Sequence, residues 1–520
     1  MGRRAKHLAG LAGAALVAAA GLAGAFPALA QGDAEIDLGR RIFLDGVNAR
    51  GEPIRALVGA ASTPVTGAAV ACGNCHGRDG RGRPEGGVVP TDIRWEELTK
   101  PYGHVRAGGR VYGPFDERSF ARAVTEGLDP AGQRIDPSMP RFSLSVSEAK
   151  ALAAYLQRLS DERDPGIEET TLRLGTILPA AGTGASSADA IRAVLEAAVA
   201  DLNERGGIHG RRVELVVAPD LASAAARFGE RPVFALVSPF AIGSEAAMGR
   251  FAERERIGIV APFTLAAGAD APLQVFYLYP GIADLARVLL DFAGRESALK
   301  TQRVVAFVDE ADAAVGDALR AQCRRRDCAG FELLPLRSAS EPGAVARIAH
   351  LGVQVVVFAG ADRELTTLLG FAQTLNWHPT IYAPGSAAAR AMFGAPSGFD
   401  GRLFVALPVR ADLQADSPAA AAFERLRTRH KLGAAHAAAQ GFAYAAISIA
   451  IEGLRQAGRE LSRERFVRAL EGLRRFDAGP TPPVSYGPGR RIGAFGGYVV
   501  AVDPRKGFRP VSDWIGLEPL

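Results

Sequence analysis

The sequence predicts a multidomain molecule: a small all-α domain at residues 31–162, a linker at 163–170, and a larger two-lobed α/β domain at 171–520. Three observations predict it. Two helical patterns bracket a Gly-, Arg- and Pro-rich first part. The polar run from Ser160 to Glu169 has no apolar period and holds the Pro165-Gly166 breaker. From Thr171 onward, short β-branched runs alternate with Ala/Leu-rich helices, the grammar of parallel sheets joined by crossover helices. At 520 residues, 48% hydrophobic and 22% charged, the chain has globular composition and length for about three domain-sized cores.

At the amino end, Arg3, Arg4 and Lys6 precede an Ala/Leu/Gly/Val run, and Ala28-Leu29-Ala30 offers small-residue cleavage before Gln31. Residues 1–30 therefore read as a signal peptide that sends the chain to the periplasm. A retained membrane anchor is the alternative, since the run from Leu8 lies close to spanning length; no later segment is expected to span. The formal charge of +5 includes those three cations, which leaves the exported chain near +2. With no basic stripe interleaved with aromatics, nucleic acid is not an expected partner.

In the small domain the opening helix carries Ile36, Gly39 and Phe43. The closing helix starts at Val146 behind an N-cap at Ser145 and places Ala149, Leu152, Tyr155, Leu156 and Leu159 on one face. Between them stands Cys72-Gly73-Asn74-Cys75-His76. Thiols at i and i+3 lie on one face of a helical turn and reach both vinyl groups of one porphyrin, while the next imidazole points at the iron. The pattern predicts one haem c, covalently attached at Cys72 and Cys75, with His76 as an axial ligand. Half a zinc site or a thioredoxin-like redox pair would want a second Cys/His pair or a preceding strand.

Met139, in Pro137-Ser138-Met139-Pro140-Arg141-Phe142, is the only methionine between signal peptide and linker, and is expected on the other side of the iron. Axial Met/His ligation raises the reduction potential and suits electron transfer. The competing role for Met139 is a gap-filling core side chain. His104 is the other histidine to consider, expected to be a solvent-exposed loop residue. Taken together, the opening helix, the Cys72–His76 motif, Met139 between prolines and the closing helix with Tyr155 resemble a class I cytochrome c domain. In that family the closing-helix tyrosine packs across the opening helix.

The large domain shows strand-like runs at Leu172–Leu178, Val213–Val217, Val233–Val237, Ile257–Ala261, Val304–Val308 and Val353–Phe358, and helices near Ala188–Asn203 and Gln440–Leu454. Leu174-Gly175-Thr176-Ile177-Leu178-Pro179, the turn Gly206-Gly207-Ile208-His209-Gly210, and strands ending at Val237-Ser238-Pro239 and Ala261-Pro262-Phe263-Thr264 follow in order. This series resembles the type I periplasmic binding proteins that serve branched-chain amino-acid ABC transporters. The resemblance implies a ligand between two lobes at the carboxyl ends of parallel strands, with Ser238, Gly243, Ser244, Phe263 and Thr264 lining the pocket.

It also implies an ABC permease as a partner. The acid that would hold a ligand's α-ammonium falls at Gly385, and an unpaired buried ammonium is costly. Ala361 and Val315 are expected to supply no aromatic wall. A small acid, an alcohol-derived metabolite or an aromatic compound is therefore expected rather than an ordinary amino acid.

Cys323 and Cys328 sit at and just beyond a helix end. In an oxidising compartment a disulfide is expected, with the helix ending between them, because five helical residues would hold the Cα atoms too far apart. The expected function is electron transfer by a periplasmic cytochrome that carries a solute-binding domain and meets a periplasmic redox partner. The alternative is the cytochrome subunit of a periplasmic dehydrogenase, its second domain only a docking module. Enzymatic activity is least expected, since a Met-capped iron leaves no open position and no G-x-S-x-G pattern occurs.

Overall fold

Helix crossing around one glycine organises the first unit, Met1–Arg163. The computed structural model describes residues 26–520 apart from 83–87, 106–109, 160–162, 183, 265, 268–271, 296–297, 386, 410–416, 504–505 and 519–520. The basic stretch and most of the apolar run of the expected signal peptide thus lie outside the described residues, while Ala28-Leu29-Ala30 falls within the first helix.

That unit runs α1 (Phe26–Asp45), β1 (Arg55–Val58), β2 (Thr63–Thr66), α2 (Cys72–His76), α3 (Trp95–Leu98), β3 (His104–Val105), β4 (Val111–Tyr112), α4 (Glu117–Thr125), β5 (Arg141–Phe142) and α5 (Val146–Leu159). A Cβ on Gly39 would overlap the Ala151 carbonyl and lie 2.7 Å from Tyr155 Cβ, so only glycine lets α1 and α5 touch backbone to side-chain root. One turn on, the buried rings of Phe43 and Tyr155 meet at 5.4 Å. Helix α5 begins with a reciprocal cap: Ser145 Oγ accepts from Glu148 N at 3.3 Å, and the Glu148 carboxylate accepts from Ser145 N at 2.8 Å.

The expectation of an all-α small domain is corrected. Strands β2-β1-β5 form an antiparallel sheet and β3-β4 a hairpin. Their runs of two to four residues are too short for a period-2 pattern to register in the sequence.

The second unit, Asp164–Leu520, continues β6 (Thr171–Ile177), α6 (Ala185–Glu204), β7 (Arg212–Ala218), α7 (Leu221–Glu230), β8 (Ala235–Val237), α8 (Glu245–Glu255), β9 (Gly258–Val260), β10 (Val275–Phe276), α9 (Ile282–Arg295), α10 (Ala298–Thr301), β11 (Arg303–Val308), α11 (Ala313–Arg325) and β12 (Gly330–Pro335). Then follow α12 (Pro342–His350), β13 (Val355–Ala359), α13 (Asp362–Thr374), β14 (Thr380–Pro384), α14 (Ala389–Phe393), β15 (Leu403–Leu407), α15 (Pro418–Arg429), α16 (Ala437–Ala457), α17 (Arg463–Gly472), β16 (Gly496–Asp503), β17 (Gly507–Pro510) and β18 (Ile515–Gly516).

One lobe is a parallel sheet in the order β10-β9-β8-β6-β7. The other is β12-β11-β13-β14-β15-β16-β17, parallel through β15 and antiparallel after it, with β18 on β16. Both sheets are buried on two faces, which is why their strands read as continuous apolar runs rather than alternating ones. The chain passes between lobes after Tyr277, after Leu407 and after Ile492; at two of these crossings Tyr277 N donates to Arg491 O and Ala494 N to Leu278 O.

Helix α16 corrects the expectation that no later segment has spanning length and apolarity, since its 21 residues include a stretch long and apolar enough to cross a membrane. It is Ala- and Ile-rich because it is enclosed in the first lobe's core. Helix α11 ends at Arg325, between the cysteines, and Cys323 and Cys328 form a disulfide with Cα atoms 5.3 Å apart.

The segment read as a linker is bound to the second unit: Asp164 accepts from Arg463 N at 2.6 Å, Gly166 O accepts from Arg173 N, and Ile167 is buried.

Candidate functional site

The small unit holds the first candidate site. Short helix α2 presents His76 as a buried side chain, 6% exposed, whose Nδ1 lies 2.8 Å from the Thr91 carbonyl oxygen. That contact assigns the proton to Nδ1 and leaves the Nε2 lone pair for a ligand. The carbonyl is held by two clamped loops. Gly82 N donates to His76 O, Ile93 N donates to Gly80 O, and a Cβ on Gly82 would overlap Pro90 O. Burial pushes the His76 pKa below its ordinary value, against the pull of Thr91 and Asp92, and favours the neutral ring that metal ligation needs.

Cys72 is half-buried and Cys75 exposed, both free of disulfide. Burial pushes the Cys72 thiol up to about 12, so it is a protonated thiol and not the low-pKa nucleophile of a redox pair. Among the described residues no group of three or more His, Cys, Asp or Glu is gathered as a zinc site would require.

Met139 is half-buried against the same core cluster as Cys72. Its loop is braced by an arginine that sequence reasoning passed over. The Arg141 guanidinium donates to the carbonyls of Met139 and Ile135, the latter at 2.6 Å, and Asp136 Oδ1 accepts from Ser138 N at 2.9 Å. Gly127 makes room, since a Cβ there would overlap the guanidinium.

His104 is corrected from exposed to buried, at 2%. It pairs in register with Tyr112 and stacks on that ring at 4.9 Å, and its Nε2 lies 3.0 Å from Leu98 O. Cys72, Cys75, His76 and Met139 therefore fit a covalent haem, and His104 is committed to the hairpin.

The second candidate site lies at the carboxyl ends of β8 and β9. Ser238 follows β8 with φ +49, fully buried; its N donates to Val260 O, and among the described residues its Oγ has no hydrogen-bond partner. Ala261 follows β9 with φ +48, so both strand ends hold left-handed residues, a strained conformation away from glycine. Phe263 bridges Phe240, their rings 5.6 Å apart, and meets Phe442 edge-on at 5.0 Å; Tyr279 meets Phe442 at 5.6 Å.

Thr264 Oγ1 donates to Glu245 Oε1 at 2.8 Å and accepts from Ala266 N at 3.0 Å. Ser244 leads into α8, but its hydroxyl donates to Ala241 O in its own turn. Gly243 lies exposed in that turn with open space around it. The structure thus gathers Phe263, Thr264 and the Ser244–Glu245 helix start, sets Ser238 buried at its strand end, and leaves Gly243 outward.

Gly385 follows β14 with φ +75, a backbone that disfavours any acid there. Ala361 precedes α13 and Val315 is buried inside α11. Phe240, Phe263, Tyr279 and Phe442 form an aromatic group packed on the first lobe's core. Of these, Phe263 and Phe442 stand in segments the sequence delimits; the contacts of Phe240 with Phe263 and of Tyr279 with Phe442 depend on tertiary structure alone.

Two sheets joined by three chain crossings, with aromatic and hydroxyl side chains at the strand ends of one lobe, define a two-lobed binding protein. The chain belongs to the periplasmic binding protein family, whose model matches residues 171–507, and membership implies export to the periplasm. Among solved structures it is similar to a fatty acid ABC transporter substrate-binding protein from Thermomonospora curvata, at 18% identity over 69% of this chain and 95% of that one, TM-score 0.52. It is also similar to an ABC transporter substrate-binding protein from Desulfitobacterium hafniense, at 17% identity, 66% and 100% coverage, TM-score 0.52. A branched-chain amino acid ABC transporter protein from Thermus thermophilus with bound valine stands at 16% identity, 68% and 97% coverage, TM-score 0.51. At such identity these likenesses establish the fold. No curated protein matches the sequence.

Proposed function

We propose that the chain is a periplasmic electron-transfer protein whose small unit carries one haem c and whose large unit binds a small, weakly polar molecule other than an ordinary α-amino acid. The observation that carries the reading is the His76 ring, buried and fixed through Nδ1 to Thr91 O directly after two cysteines that form no disulfide. Cys72 and Cys75 would hold the haem covalently, His76 and Met139 would ligate its iron, and Thr91 and Arg141 position those two ligands. A haem bound there supplies one-electron transfer. A periplasmic redox partner and an ABC permease are the partners of this reading, which assigns no catalytic residue.

For the large unit, the aromatic side chains at the strand ends and the glycine at 385 support an apolar or aromatic ligand. The relatives' own ligands, a fatty acid in one case and valine in another, show how widely this fold's pocket varies.

The haem reading is tested by acid-acetone extraction and spectroscopy of the exported protein. The pigment is expected to stay with the polypeptide, and Cys72→Ala and Cys75→Ala each to impair its incorporation. Met139→Ala is expected to remove the sulfur-to-iron charge-transfer band and lower the potential. An exported protein without pigment, or pigment that extracts freely, refutes the reading.

A further inference from the structure

The amino-terminal edge of the second lobe's sheet carries two kinds of residue that its own packing does not use. Strands β12, β11, β13, β14 and β15 run parallel in that order, so the residues that open them, Gly330, Arg303, Val355, Thr380 and Leu403, stand along one edge. Five strands make that edge roughly 20 Å wide. The crossover helices end there too: α9 at Arg295, α11 at Arg325, α12 at His350 and α13 at Thr374. Tertiary contacts hold these ends together. A Cβ on Gly294 would touch Arg326 Cδ at 3.4 Å, and Ala329 N donates to Leu299 O at 2.8 Å. The Trp377 indole N–H donates to Val353 O at 2.7 Å, tying the turn after α13 to the turn after α12.

The first kind is cationic. Arg295, Lys300, Arg303, Arg324, Arg325 and Arg402 are all exposed here. The Cys323–Cys328 disulfide closes the turn that presents Arg324 and Arg325, while Arg326 is held on Asp291 at 2.8 Å. Among the described residues, the acids of these same turns are Asp327 and Asp400; Glu296, beside Arg295 in the sequence, lies outside them. Arginines at helix ends offset the partial charge of the last carbonyls, which gives Arg295, Arg324 and Arg325 a place in the fold. Arg303 and Arg402 stand at strand starts, where that role does not exist. The second kind is apolar. Leu351 caps α12 and Leu375 caps α13, each followed by a left-handed residue, Gly352 at φ +69 and Asn376 at φ +50. These leucines are 40% and 44% exposed, and no helix-end charge accounts for them.

We propose that this edge is a docking surface for the anionic phospholipid face of a membrane. The cations would meet phosphate headgroups while Leu351 and Leu375 enter the interface between them. The spread of charge argues for a bilayer over an acidic protein segment. Arg324 and Arg325 lie toward the β12 side and Arg402 beside β15, with both leucines between, so a broad sheet of negative charge reaches all of them and a single strand or helix does not.

The test is cosedimentation of the intact exported protein with vesicles of phosphatidylcholine alone and of phosphatidylcholine with an equal share of phosphatidylglycerol. Wild type is expected to bind the anionic vesicles at least about tenfold more tightly than the neutral ones at low salt, and to lose that advantage at high salt. Arg324→Gln with Arg325→Gln is expected to weaken binding to anionic vesicles by about tenfold. Leu351→Ser with Leu375→Ser is expected to weaken it by about threefold. Circular dichroism is expected to be unchanged in both variants. All four positions are in the large unit, so any affinity of the small unit for lipid is common to wild type and variants. Equal binding to the two vesicle types, or binding undiminished in either variant, overturns the proposal. Wild type left in the supernatant with every vesicle overturns it as well, and is the outcome if the edge meets an acidic protein instead.

Discussion

At the scale of one residue, Gly385 stands where the family resemblance would place an acid. Its φ of +75 follows directly from the turn after β14, and an ideal Cβ would sit 3.1 Å from Ile282 Cδ1. A left-handed backbone costs an L-residue about 1–2 kcal/mol. Gly385→Asp is therefore expected to lower the stability of the large unit by about that amount in urea denaturation. It is also expected to create no measurable affinity for leucine, because the Thr264 hydroxyl that the ligand's own carboxylate would need already donates to Glu245. Micromolar leucine binding by the variant would show that position 385 alone sets the specificity. His76 and Arg141 carry the same lesson in the small unit. The ligating residue is visible in the motif, while the groups that fix it, Thr91 O and the guanidinium over the Met139 loop, come from contacts that no spacing announces.

Among the elements, the α1–α5 crossing is the tightest constraint in the small unit. Gly39→Ala must push the Ala151 carbonyl away, and overpacking of this kind costs about 1–3 kcal/mol. Thermal denaturation of the variant is expected to show that loss. Gly229→Ala provides the contrast: it lies in α7 with open space around it, where alanine is expected to stabilise by up to about 1 kcal/mol. Equal effects at the two sites would mean that the crossing is not the determinant.

Legibility in the sequence follows the same physics. Strands β6, β7, β8, β9, β11 and β13 were readable because burial on both faces demands unbroken β-branched runs, and α5 because its apolar stripe and Ser145 cap are local. The small sheets were not, since Arg141–Phe142 becomes a strand only by pairing with Ala56 and Leu57, far away in sequence. The Glu245–Thr264 bond and the Phe240–Phe263–Phe442–Tyr279 group were hidden for the same reason: they join strand ends and a helix whose approach only the folded sheet defines.

For the molecule as a whole, the division between units falls between Arg163 and Asp164, and the polar segment after it is not slack chain. Glu168 N donates to Thr171 O, Arg211 Nε donates to Glu168 O at 3.0 Å, and the Glu168 carboxylate pairs with Arg173 at 2.7 Å. Gly166 lies so close to Val233 and Phe234 that a side chain there would overlap the Phe234 amide. A protease needs several residues of extended, released backbone, and releasing this stretch means breaking those contacts together with the Asp164–Arg463 bond. Arg163, by contrast, is exposed at the edge of the division. Limited trypsin digestion is therefore expected to yield a large fragment starting at Asp164. A glutamate-specific protease is expected to cut after Glu168 or Glu169 at least about tenfold more slowly than trypsin cuts after Arg163. Rapid cleavage at Glu168 would mean that the segment is a free tether, and that the large unit begins at Thr171 instead of Asp164.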